Sequence, residues 1–307
     1  MAKGTHEYTD DERNANIKIN IDGKLYPRDK AKVSVFDSNF VLGDGVWEGI
    51  RLHEGKFLFL DKHLDRLWEG SKALDFDPGI TREELTTRLR KTVKANNMVT
   101  DVHIRLMVSR GEKATPYQDP RVTISQPTIV IIAEYKSPKP ATLSKGVSLF
   151  TVHVRRGNPD VQDPAINSHS KLNCIIACIQ ATKAGADEAL MLDPQGFVAT
   201  CNSTHFFIVK NGEIWTSSGN YCLHGITRGN VIELGEMHGI PVRQKTFSLT
   251  ETYSADEAFV TGTFAGIAPV RSIDGRTIGN GKRGKLTKKL QDYYLQMIDR
   301  EAGVTRV

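Results

Sequence analysis

At 307 residues the chain exceeds what one hydrophobic core normally organises, so two domains are expected. Its 39% apolar and 25% charged composition is that of an ordinary globular protein, and a net charge of +5 with acidic and basic residues interleaved points to no nucleic-acid partner. Met1 to Asn16 lacks a signal-peptide core and no apolar run reaches spanning length, so a cytoplasmic protein without a membrane contact is expected.

Along the chain, Ile17 to Ile21 alternates as a strand does, a turn follows at Asp22-Gly23, and Lys32 to Val35 alternates again as a second strand. After the tight Gly43-Asp44-Gly45 turn, Trp47 to His53 and Lys56 to Leu60 form a hairpin through Glu54-Gly55. Leu64, Leu67, Trp68 and Leu74 give helical spacing from Asp61 onward. Thr81, followed by Glu83 and Glu84, is an N-cap opening a second helix that runs to Asn97. Strands at Val102–Val108 and Thr128–Tyr135 complete a first α/β unit, residues 1–136. Lys136-Ser137-Pro138-Lys139-Pro140 reads as the start of a linker, 137–146, leading to a second domain, 147–307. That domain is expected to hold strands near 147–154, 188–193, 205–216 and 257–262, with helices near 168–184, 226–238 and 283–300. The fold class is α/β (α+β).

In the 168–184 helix, Leu172, Ile175, Ile176 and Ile179 fall on one apolar face, and Gly185 ends it. Gly225 directly precedes the helix from Ile226, and a glycine turn feeding a helix start leaves backbone N–H groups free for an anion. Cys174, Cys178, Cys201 and Cys222 make no disulfide framework in a chain this long and read as buried thiols. No metal site is expected, because Cys174 and Cys178 have no matching second pair. The basic run from Lys282 to Lys289 reads as a solvated helix face. Its near P-loop, Gly279 then Gly284-Lys285, fails because Leu286 has no hydroxyl for magnesium.

Asp163-Pro164-Ala165-Ile166, Thr200-Cys201-Asn202-Ser203-Thr204-His205-Phe206-Phe207 and His224-Gly225-Ile226-Thr227-Arg228 follow one another in an order that resembles the second half of the class IV (fold type IV) pyridoxal-phosphate aminotransferases. The chain is similar to the branched-chain, D-amino-acid and (R)-amine members, over residues 17 to 300. The resemblance implies a small α/β domain, a larger pseudo-barrel domain and a homodimer. It also implies pyridoxal 5'-phosphate as cofactor and ping-pong transfer from a small amino donor to a 2-oxo acid. By the same resemblance Arg66, the Ile226-Thr227 turn and Gly262-Thr263 hold the phosphate. Trp47, Arg105 and Tyr117 are candidates for the substrate; Arg105 lies in a His-Ile-Arg-Leu stretch like one that helps branched-chain enzymes with acidic substrates.

Two positions depart from the family. The ungapped register puts Asn167 where the family has the lysine that bonds the cofactor aldehyde, and Lys171 is the nearest amine, one turn on if the segment is helical. Either Lys171 takes over the role, its neutral form favoured at a helix start, or the chain binds the cofactor without catalysis. Thr200 stands where the family has a glutamate at the pyridine nitrogen, which weakens the ring as an electron sink unless His205 or water compensates. The rival enzymatic reading is a lyase of the aminodeoxychorismate type.

Overall fold

The computed structural model describes residues 4–305. The chain divides into two compact units: an N-terminal unit of residues 10–137 with 166–170, and a C-terminal unit of residues 4–9, 138–165 and 171–305.

The N-terminal unit contains β1 (Lys18–Ile21), β2 (Lys24–Pro27), α1 (Ser38–Leu42), β3 (Gly45–His53), β4 (Lys56–Phe57), α2 (Leu60–Ala73), α3 (Arg82–Ala95), β5 (Val102–Ser109) and β6 (Ile129–Tyr135). The strands form one antiparallel sheet in the order β2-β1-β6-β5-β3-β4. Strict alternation in β5 sends Val102, Ile104, Leu106 and Val108 to a core shared with Leu64, Leu67, Leu85 and Leu89 of the two longer helices. The Thr81–Glu84 capping box opens α3 as its sequence predicts. Glu54 and Gly55 both take positive φ, which closes the β3–β4 hairpin with the twist its strands require.

Two expectations are corrected here. Lys32 to Val35 is not a strand; Val33 and Val35 stay exposed and pair with no strand among the described residues, and β2 forms instead directly after the Asp22-Gly23 turn. Residues 167–171 are not helical. Ser168 bridges Val46, the Trp47 N–H donates to Asn167 O at 3.0 Å, and the His169 N–H donates to Gly45 O at 3.1 Å, so the segment runs extended along β3.

The C-terminal unit contains α4 (Pro140–Lys145), β7 (Val147–Thr151), α5 (Pro159–Gln162), α6 (Leu172–Lys183), β8 (Glu188–Leu192), β9 (Val198–Cys201), β10 (His205–Lys210), β11 (Glu213–Thr216), α7 (Ile226–Met237), β12 (Val242–Gln244), α8 (Leu249–Tyr253), β13 (Glu257–Gly262), β14 (Gly266–Ile273), β15 (Arg276–Thr277) and α9 (Lys285–Ala302). Its curled sheet runs β12-β11-β10-β13-β14-β7-β8-β9, with β15 on β14. Residues 138–146 of the expected 137–146 linker carry helix α4 and belong to this unit, while Ser137 belongs to the N-terminal one.

Strand β14 was not expected from the sequence, and it runs unbroken through Pro269. The proline is accommodated where pairing with β7 begins. Gly146, at positive φ, lets the Pro269 carbonyl approach to 2.5 Å of the place a Cβ would occupy. Helix α6 also inverts its expected facing. Leu172 (68% exposed), Ile175 (53%), Ile176 and Ile179 point outward, while Ala177 and Ala181 pack with Ala189 and Met191 of β8. Small residues permit that close approach, and the larger apolar stripe is left uncovered.

Candidate active site

In the C-terminal unit, Gly225 is the N-cap of α7 and supplies no side-chain cap, so the N–H groups of Ile226 and Thr227 have no intrahelical acceptor. Next to them Arg228 is only 7% exposed and directs its Nη2 to neutral acceptors, Ser217 O at 2.8 Å and Gln244 Oε1 at 2.9 Å. Its Nε is buried without a partner, and no carboxylate pairs with it among the described residues. Burial pushes its pKa down, as the loss of hydration around an uncompensated cation requires. Thr261 Oγ1, just before the expected Gly262-Thr263 loop, is also buried without a partner. Available amides at a helix start, orphaned donors and an unbalanced guanidinium fit a phosphate dianion.

Thr200 lies buried on β9, and its hydroxyl donates to Thr204 O at 2.8 Å. A carbonyl only accepts, so the hydroxyl hydrogen is committed and only the oxygen lone pairs remain to meet a ligand. Lys171 is the N-cap residue of α6, at φ −114°. The expectation that it follows Asn167 along one helical face is therefore corrected. Asn167 is buried, its Nδ2 donates to Trp47 O at 2.6 Å, and its Oδ1 has no partner.

Arg156 is a second buried cation of the C-terminal unit. It is 8% exposed, and it donates to Tyr221 O and to Cys174 Sγ, each at 3.2 Å, with no carboxylate partner among the described residues. It thereby ties the first turn of α6 to the loop before Gly225. The cysteines depart in part from the buried-thiol expectation. Cys201 and Cys222 are buried, Cys174 is half-buried and Cys178 is exposed.

In the N-terminal unit, Arg66 on α2 closes its fork on Glu48 of β3, Nε to Oε1 at 2.8 Å and Nη2 to Oε2 at 2.7 Å. His63 Nδ1 meets the same carboxylate at 2.6 Å. Glu48 is fully buried, which pushes its pKa up; the Arg66 charge and the hydrogen bonds from His63 and Arg66 outweigh that, and the carboxyl ends below its ordinary value. Glu48 was not singled out in the sequence, although its pairing fixes Arg66.

Arg105, paired across the sheet with Gly49, stacks over Trp47 with its Cζ 3.7 Å from the ring centroid. Trp47 Nε1 donates to Ser168 O at 3.1 Å. Burial pushes the Arg105 pKa down against the pull of the Glu48 charge, and no carboxylate pairs with it among the described residues. Tyr117, by contrast, is 51% exposed on its loop, where its N–H donates to Thr115 O at 2.8 Å. Among the described residues no group of His, Cys, Asp and Glu is arranged for a metal ion, and no helix is long and apolar enough to cross a membrane.

The profile of the family described as "Amino-transferase class IV" matches residues 45–273. A putative branched-chain-amino-acid aminotransferase of Methanocaldococcus jannaschii is 43% identical over 280 residues, covering 91% of this chain and 95% of that protein. Branched-chain-amino-acid aminotransferase-like protein 2 of Arabidopsis thaliana is 40% identical over 286 residues, 93% of this chain; the chain spans about half, 51%, of that longer relative. Among solved structures, the T.th. branched-chain amino acid aminotransferase complexed with N-(5'-phosphopyridoxyl)-L-glutamate superposes with a TM-score of 0.86 at 30% identity, covering 93% of this chain and 95% of that one. With its profile, its relatives and its fold in agreement, the chain belongs to the pyridoxal-phosphate-dependent class IV aminotransferase family.

Proposed function

We propose that this chain is an aminotransferase that moves an amino group from an amino acid, of branched-chain type first, to a 2-oxo acid. The observation that carries this reading is the Gly225–Thr227 turn, with its available amides and the unbalanced Arg228 beside it. Bound pyridoxal phosphate supplies an aldehyde for amine exchange and a ring that takes up electron density as the substrate Cα–H bond breaks.

The protein residues divide the remaining work. Ile226, Thr227, Gly262, Thr263 and Arg66 hold the phosphate; Thr200 presents acceptor lone pairs at the pyridine nitrogen, which favours the protonated ring. Lys171 is the amine that bonds the aldehyde and carries the proton at the substrate Cα, because Asn167 has no basic nitrogen to do either. Arg105, flattened on Trp47 and without a carboxylate partner among the described residues, binds a substrate carboxylate. An acidic amino-group partner is supported by the phosphopyridoxyl-L-glutamate held by the T.th. enzyme.

We further propose that the two units act as the small and the large cofactor-binding domain of a cytoplasmic homodimer, for which the uncovered apolar stripe of α6 is the support. A screen of branched-chain L-amino acids, D-amino acids and primary amines against 2-oxo acids tests the reading. Turnover that requires an acceptor and disappears in Lys171→Ala is expected; pyruvate release without an acceptor would instead indicate a lyase. A second reading, a pyridoxal-phosphate binder without catalysis, is favoured by Asn167 alone; turnover in no donor–acceptor pair, with cofactor bound, would establish it.

A further inference from the structure

Gly225 has an ordinary backbone, φ −67° and ψ 133°, which any residue adopts. Backbone freedom therefore does not explain a glycine at this turn. The space does. A Cβ on Gly225 would lie 2.6 Å from His205 Nδ1 and nearer still to Cε1, so the imidazole ring fills the volume a side chain would need. The same ring reaches the turn through a hydrogen bond, His205 Nε2 to Leu223 O at 2.6 Å. The carbonyl only accepts, so Nε2 carries the hydrogen. Leu223 O also receives the Gly225 N–H at 2.8 Å, and the two donors together lock the peptide entering α7.

His205 opens β10 and pairs across the sheet with Thr261, the residue before Gly262. Its neighbour Thr204 stands under the other loop, with its methyl 3.4 Å from where a Cβ on Gly262 would sit. Thr204 is itself fixed by a 2.7 Å hydrogen bond to the buried Glu188 carboxylate. Two consecutive residues at the start of one strand thus brace both loops that flank the candidate phosphate position.

We infer that His205 is the positioning residue that aims the Ile226 and Thr227 amides at the cofactor phosphate, acting through Leu223 and Gly225 without touching the ligand. The inference rests on the pyridoxal-phosphate reading of this turn. It assigns the ring a steric and hydrogen-bonding task at the phosphate end, and none at the pyridine nitrogen opposite Thr200.

Its test compares two probes on the purified full chain, pyridoxal phosphate and pyridoxal, which share ring and aldehyde and differ by the phosphate. Affinities are read from absorbance titrations, so turnover is not needed. His205→Ala is expected to weaken pyridoxal phosphate about tenfold or more, while pyridoxal changes less than about twofold. His205→Gln, which returns a donor near the Nε2 position, is expected to recover part of the loss.

A second pair keeps the inference falsifiable should His205→Ala fail to fold. Gly225→Ala is expected to weaken pyridoxal phosphate in the wild-type background, where it meets the ring, and to cost clearly less beside His205→Gln, whose side chain can swing away. Equal losses for both probes, or the same Gly225→Ala cost in both backgrounds, would overturn the role of His205. A wild-type chain that binds neither probe would instead refute the cofactor reading on which it rests.

Discussion

Arg66, largely covered, and the buried Arg228 are both proposed for phosphate recognition, and they meet burial in opposite ways. Arg66 closes a bidentate fork on Glu48, with His63 on the same carboxylate. Among the described residues, Arg228 bonds neutral oxygens alone and leaves Nε without a partner. In the first case the protein supplies the counter-charge and sets the geometry of the cation; in the second the charge is left for a ligand to balance. A buried ion pair fixes position, whereas an unbalanced buried cation sets affinity for an anion.

The largest effect is expected from breaking the first arrangement. Glu48→Ala leaves Arg66 and His63 buried around a missing carboxylate and should cost about 3–5 kcal/mol in a urea melt. A loss under about 1 kcal/mol would show that water enters and replaces the carboxylate. Acid attacks the same group more gently. Because the folded pKa of Glu48 lies below its ordinary value near 4.5, its contribution is present at neutral pH and is lost as pH falls from that value through the folded one. Urea midpoints from pH 7 to pH 3 should therefore fall less steeply in Glu48→Gln than in the wild type.

Arg228→Leu turns the comparison round. Removing an unbalanced buried cation should destabilise the apo protein much less than Glu48→Ala does, yet weaken pyridoxal phosphate about tenfold or more. Unchanged affinity would move the balancing charge elsewhere. The smallest effect is expected at Thr200→Val, which leaves Thr204 O without its donor, about 1 kcal/mol, and removes the acceptor proposed for the pyridine nitrogen. Lower kcat with an unchanged KM is the expected signature, and a raised KM alone would place Thr200 in binding only.

Much of this was legible in the sequence. The Thr81–Glu84 box, the Glu54-Gly55 hairpin and Gly225 ahead of Ile226 are local devices, and local chemistry is what a sequence displays. The misses share a different cause. Lys32 to Val35 alternates like a strand but pairs with no strand among the described residues, β14 carries a proline that its neighbouring strands accommodate, and α6 buries its alanines because β8 approaches closely. Each depends on a partner distant in sequence. The same holds for the candidate residues, where the Gly225 turn was visible but the pairing of Glu48 with Arg66, and of His205 with Leu223, was not. The extended course of 167–170 follows from its bridge to β3, which no helical periodicity in the segment announces.

The central claim is that Lys171 has taken the role that Asn167 cannot perform. Borohydride reduction of the protein with pyridoxal phosphate, followed by peptide mapping, tests it directly. A pyridoxyl tag on Lys171, absent after Lys171→Ala, is the predicted result. A tag on another lysine, or none while the cofactor is bound, would contradict it.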